Sequence, residues 1–380
     1  TTSLEPLAEA RRLGMAVVVI DHHQCGDELP IVDALVNPNR PDDLSGLGHL
    51  AAVGLVFVTL VAVNRELRQR GFWNAERPEP NLLDMLHHVA LGTVADVAPL
   101  IGLNRAFVAK GLIAMRRRDH VGHTALMDVA RLNGPPEAWH LGFMLGPRIN
   151  AGGRIGRADL GVRLLLEHDV SEAAKIAAEL DRLNTERREI EQMAEAQAEA
   201  EALASLGLEG KGAVIVTASE GWHPGVVGLV ASRLKEKFWR PTLAFAPAGD
   251  DEIRGSGRSI PDVHLRDVLD LVSKRHPNLI RKFGGHAMAA GLTLGRQDFP
   301  AFAPAFDAAV RELTGRDSFE PVIETDGSLE SGYANAEVAG LLQQQVWGAG
   351  FAAPLFLDEF VVRNQRLVGE KHLKLSLERG

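Results

Sequence analysis

Two apolar patterns recur along this chain: residues spaced three and four apart, and short unbroken runs that end on charged or small residues. Leu4, Leu7, Ala8 and Leu13 fall on one side of a predicted helix, and Gly14 is placed to cap it. Met15 to Ile20 is a β-branched run of the kind a buried parallel strand shows, and it stops at Asp21-His22-His23. That order predicts an α/β sheet with a site at the strand's carboxyl end, where open α/β sheets bind ligands. Val36 to Gly48 reads as a loop, and helices are predicted near 49–70 and 82–91. The most apolar stretch, Leu50 to Val63, falls short of the roughly 18–20 residues of a membrane span and is predicted as a buried helix. No basic segment followed by an apolar run opens the chain, so neither a membrane role nor a secretory signal is expected.

From Ser171 to Leu206 no Gly or Pro interrupts a run of Ala, Glu, Arg, Gln and Leu. This predicts a helix about 50 Å long, favoured as a rigid connector over a bundle helix. A second α/β unit follows, with strands at Ala213–Thr217 and Leu243–Ala246 and helices at Val226–Lys237 and Leu265–Val272. Gly255 to Ser259 reads as a turn and Phe283 to His286 as a loop, while Phe356–Val362 and His372–Leu377 alternate as strands do.

A length of 380 residues predicts two or three domains. The single cysteine, Cys25, excludes an intramolecular disulfide and any Cys-cluster zinc site, and fits a reducing compartment such as the cytoplasm. Cys25 itself is read as a bystander. A net charge of −9 does not advertise nucleic-acid binding, although a cleft can be basic on an acidic protein. The first residue is Thr1, not Met, which leads to the expectation of a chain that starts inside a longer protein or has been processed or trimmed.

Five segments carry candidate chemistry. Asp21-His22-His23 offers imidazole ligands with a carboxylate to bind or orient them. Asp96, within Thr93-Val94-Ala95-Asp96-Val97-Ala98, is a carboxylate in an apolar run that must be capped, paired or metal-bound. Gly146 to Gly156, with Arg148, Asn150 and Arg154, reads either as a turn joining helices or as a compact anion-binding stretch. Gly255-Ser256-Gly257-Arg258-Ser259 leaves room for a phosphate that Arg258 could grip, and Gly284-Gly285-His286 could approach a ligand closely. The pair His87-His88 is read as structural, because neighbours on a helix diverge by about 100°.

The order of these segments, together with Glu220-Gly221-Trp222-His223-Pro224-Gly225-Val226-Val227-Gly228, resembles the RecJ family of the DHH phosphodiesterase superfamily over nearly the whole chain. The resemblance implies an α/β fold of two α/β domains: a DHH domain over 1–168 lacking its N-terminal part, and DHHA1 over 209–316. A long helix over 169–208 joins them, and the start of a β-rich OB-type domain follows over 317–380. It implies a Mn2+ or Mg2+ pair and 5′-to-3′ hydrolysis of single-stranded DNA to mononucleotides in recombination and repair. His22 and Asp96 would be metal ligands, His23 would contact the scissile phosphate, and Asp21 would stand behind it. Arg148, Asn150, Arg154, Ser256, Arg258, Ser259, Gly285 and His286 would contact phosphates or DNA. A single-strand-binding protein and a helicase are the partners implied. The family's other metal ligands are aspartates upstream of Asp21, so the resemblance also implies that the chain carries only part of the metal site. Two rival readings are a phosphodiesterase of short oligonucleotides or cyclic dinucleotides, and a non-catalytic nucleic-acid-binding scaffold.

Overall fold

The structure, a computed structural model, describes residues 3–26, 28–206, 212–249, 251–369 and 372–379. It divides into one unit of Thr1–Ile149, Val162–Ala178 and Glu324–Gly380, and a second of Asn150–Gly161 and Glu179–Ile323.

In the first unit α1 (Leu4–Arg12) ends where Gly14 takes the left-handed conformation, φ 76°. Strand β1 (Val18–Ile20) pairs in parallel with β2 (Ala34–Val36). The expected buried run is therefore shorter, and it is not buried: Met15 and Val18 are 59% and 63% exposed. A two-stranded sheet leaves much of each strand uncovered. Helix α2 (Ala52–Gln69) buries one stripe, Gly54, Leu55, Phe57 and Asn64, while Val56, Val61 and Val63 face outward. A stretch apolar on all sides carries no sign of which face goes inward.

A 3-10 turn, Leu82–Met85, runs into α3 (Leu86–Ala95), which packs on α4 (Gly102–Arg116). Gly111 permits that approach, since a Cβ there would lie 2.2 Å from the Leu86 carbonyl. After α5 (Val121–Val129), α6 (Ala138–His140) passes through a π-helical turn, Leu141–Leu145, into α7 (Gly146–Ile155). Helix α8 (Leu160–Leu166) precedes α9 (Val170–Leu206), whose 37 residues rise about 55 Å. Helix α9 buries Ala173, Ile176, Ala177 and Leu180, and further on Ala194, Ala198 and Ala202. It is thus a packed helix along its course rather than a bare spacer. The expected boundary at 208/209 lies outside the described residues.

The second unit is built on a five-stranded sheet in the order β3-β4-β5-β7-β6. Strand β3 (Ile215–Ala218) leads through α10 (Val227–Phe238) to β4 (Thr242–Pro247), parallel to it, and all other pairings are antiparallel. Alternation along β4 explains the two cores. Leu243 and Phe245 face a cluster with α11 (Leu265–Arg275) and α12 (Phe299–Thr314), while Ala244 and Ala246 face α9 and α10.

The segment expected to be a turn at Gly255–Ser259 is strand β5 (Glu252–Arg258). Its glycines answer packing: a Cβ at Gly255 would lie 2.4 Å from the Phe245 ring, and one at Gly257 2.7 Å from Leu243. Likewise Phe283 and the two glycines after it form the end of β6 (Lys282–Gly285), which pairs with β7 (Ala289–Gly295). The last segment holds α13 (Ala336–Gln343) and a hairpin of β8 (Val361–Val368) and β9 (His372–Glu378). The strand expected from Phe356 thus begins at Val361. No helix among the described residues is long and apolar enough to cross a membrane.

Candidate functional site

Strands β1 and β2 run in parallel, so both carboxyl ends lie at one edge of their sheet. Asp21, His22 and His23 follow β1, and Asn37 and Asn39 follow β2. The Asp21 Oδ1 accepts from the backbone N–H of His22 (2.8 Å) and of His23 (3.2 Å), and sits 2.7 Å from His23 Nδ1. One carboxylate therefore sets the local backbone and orients an imidazole. The two asparagines complete the clamp: Asn37 Nδ2 donates to the His23 carbonyl (2.9 Å) and Asn39 Nδ2 to that of His22 (2.7 Å). Sequence reasoning missed them, because Asn is also an ordinary loop residue. Their position directly after a second parallel strand was the usable signal. Asn37 Nδ2 also lies 3.3 Å from the Cys25 Sγ.

Asp96 arrives from α3. It is not buried in its apolar run; it is the C-cap of the helix and its side chain is 45% exposed. The following turn explains this. Val97 N–H donates to Val94 O and Ala98 N–H to Thr93 O, the two bonds of a Schellman ending, with Val97 at φ 58°. Glycine normally holds that position, since the left-handed conformation costs an L-residue about 1–2 kcal/mol. Val97 is 72% exposed, so its side chain has little packing to lose. Val97→Gly is expected to raise stability by about 0.5–1 kcal/mol after the glycine's own entropy cost. Calorimetric melting checks this, and a lower Tm would show that the valine is held for packing.

The Asp96 Oδ2 lies 3.8 Å from His22 Nδ1 with no hydrogen bond between them. Two ligand atoms at right angles on one small divalent cation lie about 3 Å apart, so a shift of under 1 Å would let both reach one ion. The carboxylate oxygen suits Mn2+ or Mg2+, and a single imidazole nitrogen beside it can complete a mostly oxygen-ligated site. These residues fit a divalent metal, as part of its coordination.

In the second unit, Ser256 and Arg258 share one face of β5, opposite Gly255 and Gly257. Arg258 Nη1 donates to Ser256 Oγ (3.0 Å). Gly228, in the first turn of α10, leaves the space, since a Cβ there would lie 3.0 Å from both Arg258 Nη2 and Ser256 Oγ. Arg154 Nη1 donates to the Gly225 carbonyl (3.1 Å), just before the same helix. Burial lowers the Arg258 pKa, and the like charge of Arg154 adds to it. Two guanidinium groups at the N-terminus of α10, where no side chain caps the helix, make an anion-binding corner. Beside Ser256, the register places Gly291 and then Gly284 on the same face. A Cβ at Gly284 would meet nothing within 4 Å and one at Gly291 only the Gly255 carbonyl at 3.8 Å. The sheet floor there is bare backbone, flanked by exposed Arg254 and Lys282.

The other expected contacts are dispersed. Gly146–Ile155 is a helix, so its interior amides serve helical bonds and cannot cradle an anion. Six residues of helix turn Arg148 about 120° away from Arg154. Arg148 belongs to the first unit and donates to the Met144 carbonyl (2.6 Å), while Asn150 is exposed. Ser259 is 1% exposed and its hydroxyl donates to the Val263 carbonyl (2.7 Å), a turn bond rather than a ligand contact. Gly285, at φ 141°, allows the β6–β7 turn, and a Cβ there would lie 2.4 Å from the Ala289 carbonyl. His286 stands exposed on that turn.

A second gathering of side chains was read differently. His87 and His88 do not diverge: their ring centroids are 4.2 Å apart, at the start of α3. His120 and His123 meet them at 4.6–4.8 Å. Burial pushes His88 down to about 3 and His87 to about 4, with neighbouring imidazoles adding to each shift, and it holds His123 well below its ordinary value. The His-x-x-His spacing of 120 and 123 was the legible signal for one helix face; their meeting with α3 was not.

Comparison with known proteins bears on both units. The DHH family N-terminal domain matches residues 1–93, the DHHA1 domain 211–312 and the RecJ OB domain 325–380. A solved structure of an exonuclease RecJ bound to manganese is 32% identical, with a TM-score of 0.63, and the match covers 82% of this chain and 73% of that one. The chain belongs to the RecJ family. The RecJ single-stranded-DNA-specific exonuclease of Dickeya dadantii is 44% identical over 97% of this chain and 65% of its own length. The chain thus spans about 65% of that relative. The structure of RecJ in complex with Mn2+ from Thermus thermophilus has a TM-score of 0.81 and 31% identity, covering 99% of this chain and 54% of that one. The fold is accordingly the mixed α/β fold of DHH and DHHA1 domains, with an OB-domain match at the end of the chain.

Proposed function

We propose that the protein carrying these residues degrades single-stranded DNA from its 5′ end to mononucleotides, with Mn2+ or Mg2+ held in part by His22 and Asp96, in DNA recombination and repair. A bound metal pair would supply an activated water and neutralise charge developing on the phosphate. The chain's own residues do the rest. Asp21, as a carboxylate acceptor, orients the His23 ring through its Nδ1–H, and with both ring nitrogens protonated Nε2–H can donate to an oxygen of the scissile phosphate. Asn37 and Asn39 keep the His22-His23 backbone in place. Arg154 and Arg258 grip backbone phosphate without reading sequence. The glycine floor at 284 and 291 admits a strand's backbone, and His286 borders it.

The observation that carries this reading is the His22–Asp96 pair, 3.8 Å apart at a strand's carboxyl end, in a chain so close to named single-stranded-DNA exonucleases. An enzyme of this kind consumes strands that a helicase unwinds and a single-strand-binding protein coats, and we propose both as partners, in the cytoplasm. We also keep 1–168, 169–208, 209–316 and 317–380 as the functional divisions. The full-length protein with Mn2+, given a 5′-labelled single strand of about 50 nucleotides and its duplex, tests the activity. Early labelled mononucleotide from the single strand alone supports it. Binding without cleavage, or cleavage confined to very short oligonucleotides, overturns it.

A further inference from the structure

We propose that His87, His88 and His120 form a second metal site, separate from His22 and Asp96, that takes a transition-metal cation of the zinc class. One ligand atom from each of the three lies within 4.8 Å of the others. Among the described residues this is the one group of three or more His, Cys, Asp or Glu gathered closely enough to share an ion. Nitrogen ligands about 2.1 Å from a tetrahedral ion lie about 3.4 Å apart, so the cluster has to contract by a little over an ångström. Rotation of His88 and His120, whose rings are only half-buried, can supply that contraction around a buried His87.

Three observations favour a ligand over simple packing. His87 is only 7% exposed, yet both its ring nitrogens are buried without a hydrogen-bond partner of normal geometry; the Asp84 carbonyl, in its own turn, is a weak neighbour. His88 Nδ1 lies 2.9 Å from Nε2 of buried His123. With the proton on His88 Nδ1, that bond frees Nε2 of His88 to ligate, and His123 becomes the outer partner that metal-bound histidines usually have. His120 is held at the N-terminus of α5, its Nδ1 accepting from the His123 amide at 3.2 Å, with the Leu165 carbonyl near its ring. Ligation by His120 exchanges one of these weak bonds for a metal bond.

The donor set selects the ion. Three imidazoles with no carboxylate suit Zn2+, Ni2+ or Cu2+, whereas Mg2+ and Mn2+ prefer oxygen. A metal here would tie the start of α3 to the start of α5, and α3 ends at Asp96.

The test uses the full-length protein with His22→Ala, which weakens the first site, freed of metal by a chelator. Zn2+ is titrated by calorimetry, with and without the added changes His88→Gln and His120→Asn; asparagine retains the helix cap. One Zn2+ per chain is expected in the parent. Its affinity should fall by more than the roughly 100-fold upper cost of losing an outer-sphere partner. Equal binding in both proteins, or none in the parent, overturns the proposal. X-ray absorption of the Zn2+-loaded parent gives an answer even if the variant fails to fold. A shell with three imidazole nitrogens supports the site, and an oxygen-dominated shell with at most one imidazole refutes it.

Discussion

His22→Ala in the full-length protein is expected to lower Mn2+-supported nucleotide release by at least about 100-fold while binding to single strands stays within a few-fold. The His22 ring faces Asp96 at 3.8 Å with no hydrogen bond, so its removal leaves the carboxylate without its partner in holding a cation. Second-sphere changes at metal sites typically cost 10–100-fold, and losing a ligand should exceed that. Asp96→Asn should behave like His22→Ala, since an amide oxygen carries no net charge to offset a divalent ion. Asp21→Asn should fall in the lower range, because it disturbs the orientation of His23 rather than a ligand. Initial rates over a Mn2+ titration check the set. If His22→Ala keeps more than about a tenth of the parent rate at saturating Mn2+, the ligand assignment is wrong.

Arg258→Met should weaken binding of a 5′-phosphorylated single strand about 10–100-fold and flatten its salt dependence by about one charge. Arg258 is held half-buried beside Arg154, a like charge, where a phosphate would relieve both burial and repulsion. The same change should leave the free protein at least as stable as before, because it removes an uncompensated charge. Gly291→Val is the steric counterpart. A Cβ there has room, and valine suits a strand, so folding should be unaffected while the bare floor beside Ser256 is filled. Fluorescence anisotropy at two salt concentrations separates the effects. Unchanged affinity in both variants would mean that DNA does not use this face.

Elements with one unambiguous period were legible in the chain. The β4 run, the long α9 helix and α10 were predicted within about two residues, because no other pattern competes with an unbroken apolar strand or a Gly- and Pro-free helix. Glycine misled the reading at Gly255–Ser259 and Gly284–Gly285. Glycine marks a turn as readily as a strand crowded by a facing ring, and only the Phe245–Gly255 pairing shows which applies. At Gly146–Ile155 the glycines suggested a compact anion cradle, and the helix they join instead sends Arg148 and Arg154 in different directions.

What the sequence determined by itself was the inventory and its order: an Asp-His-His at a strand end, an Asp within an apolar run, arginines beside glycines, and a family resemblance spanning all of them. Only the tertiary structure decided which of these meet. Asn37 and Asn39 clamp the histidine backbone because β2 runs parallel to β1, and Arg154 joins Arg258 because both approach the start of α10. His120 joins His87 because α3 and α5 bring their first turns together. Local spacing encodes which face of an element a residue takes. Which faces meet depends on burying apolar surface across the whole fold, and no short window of sequence carries that information.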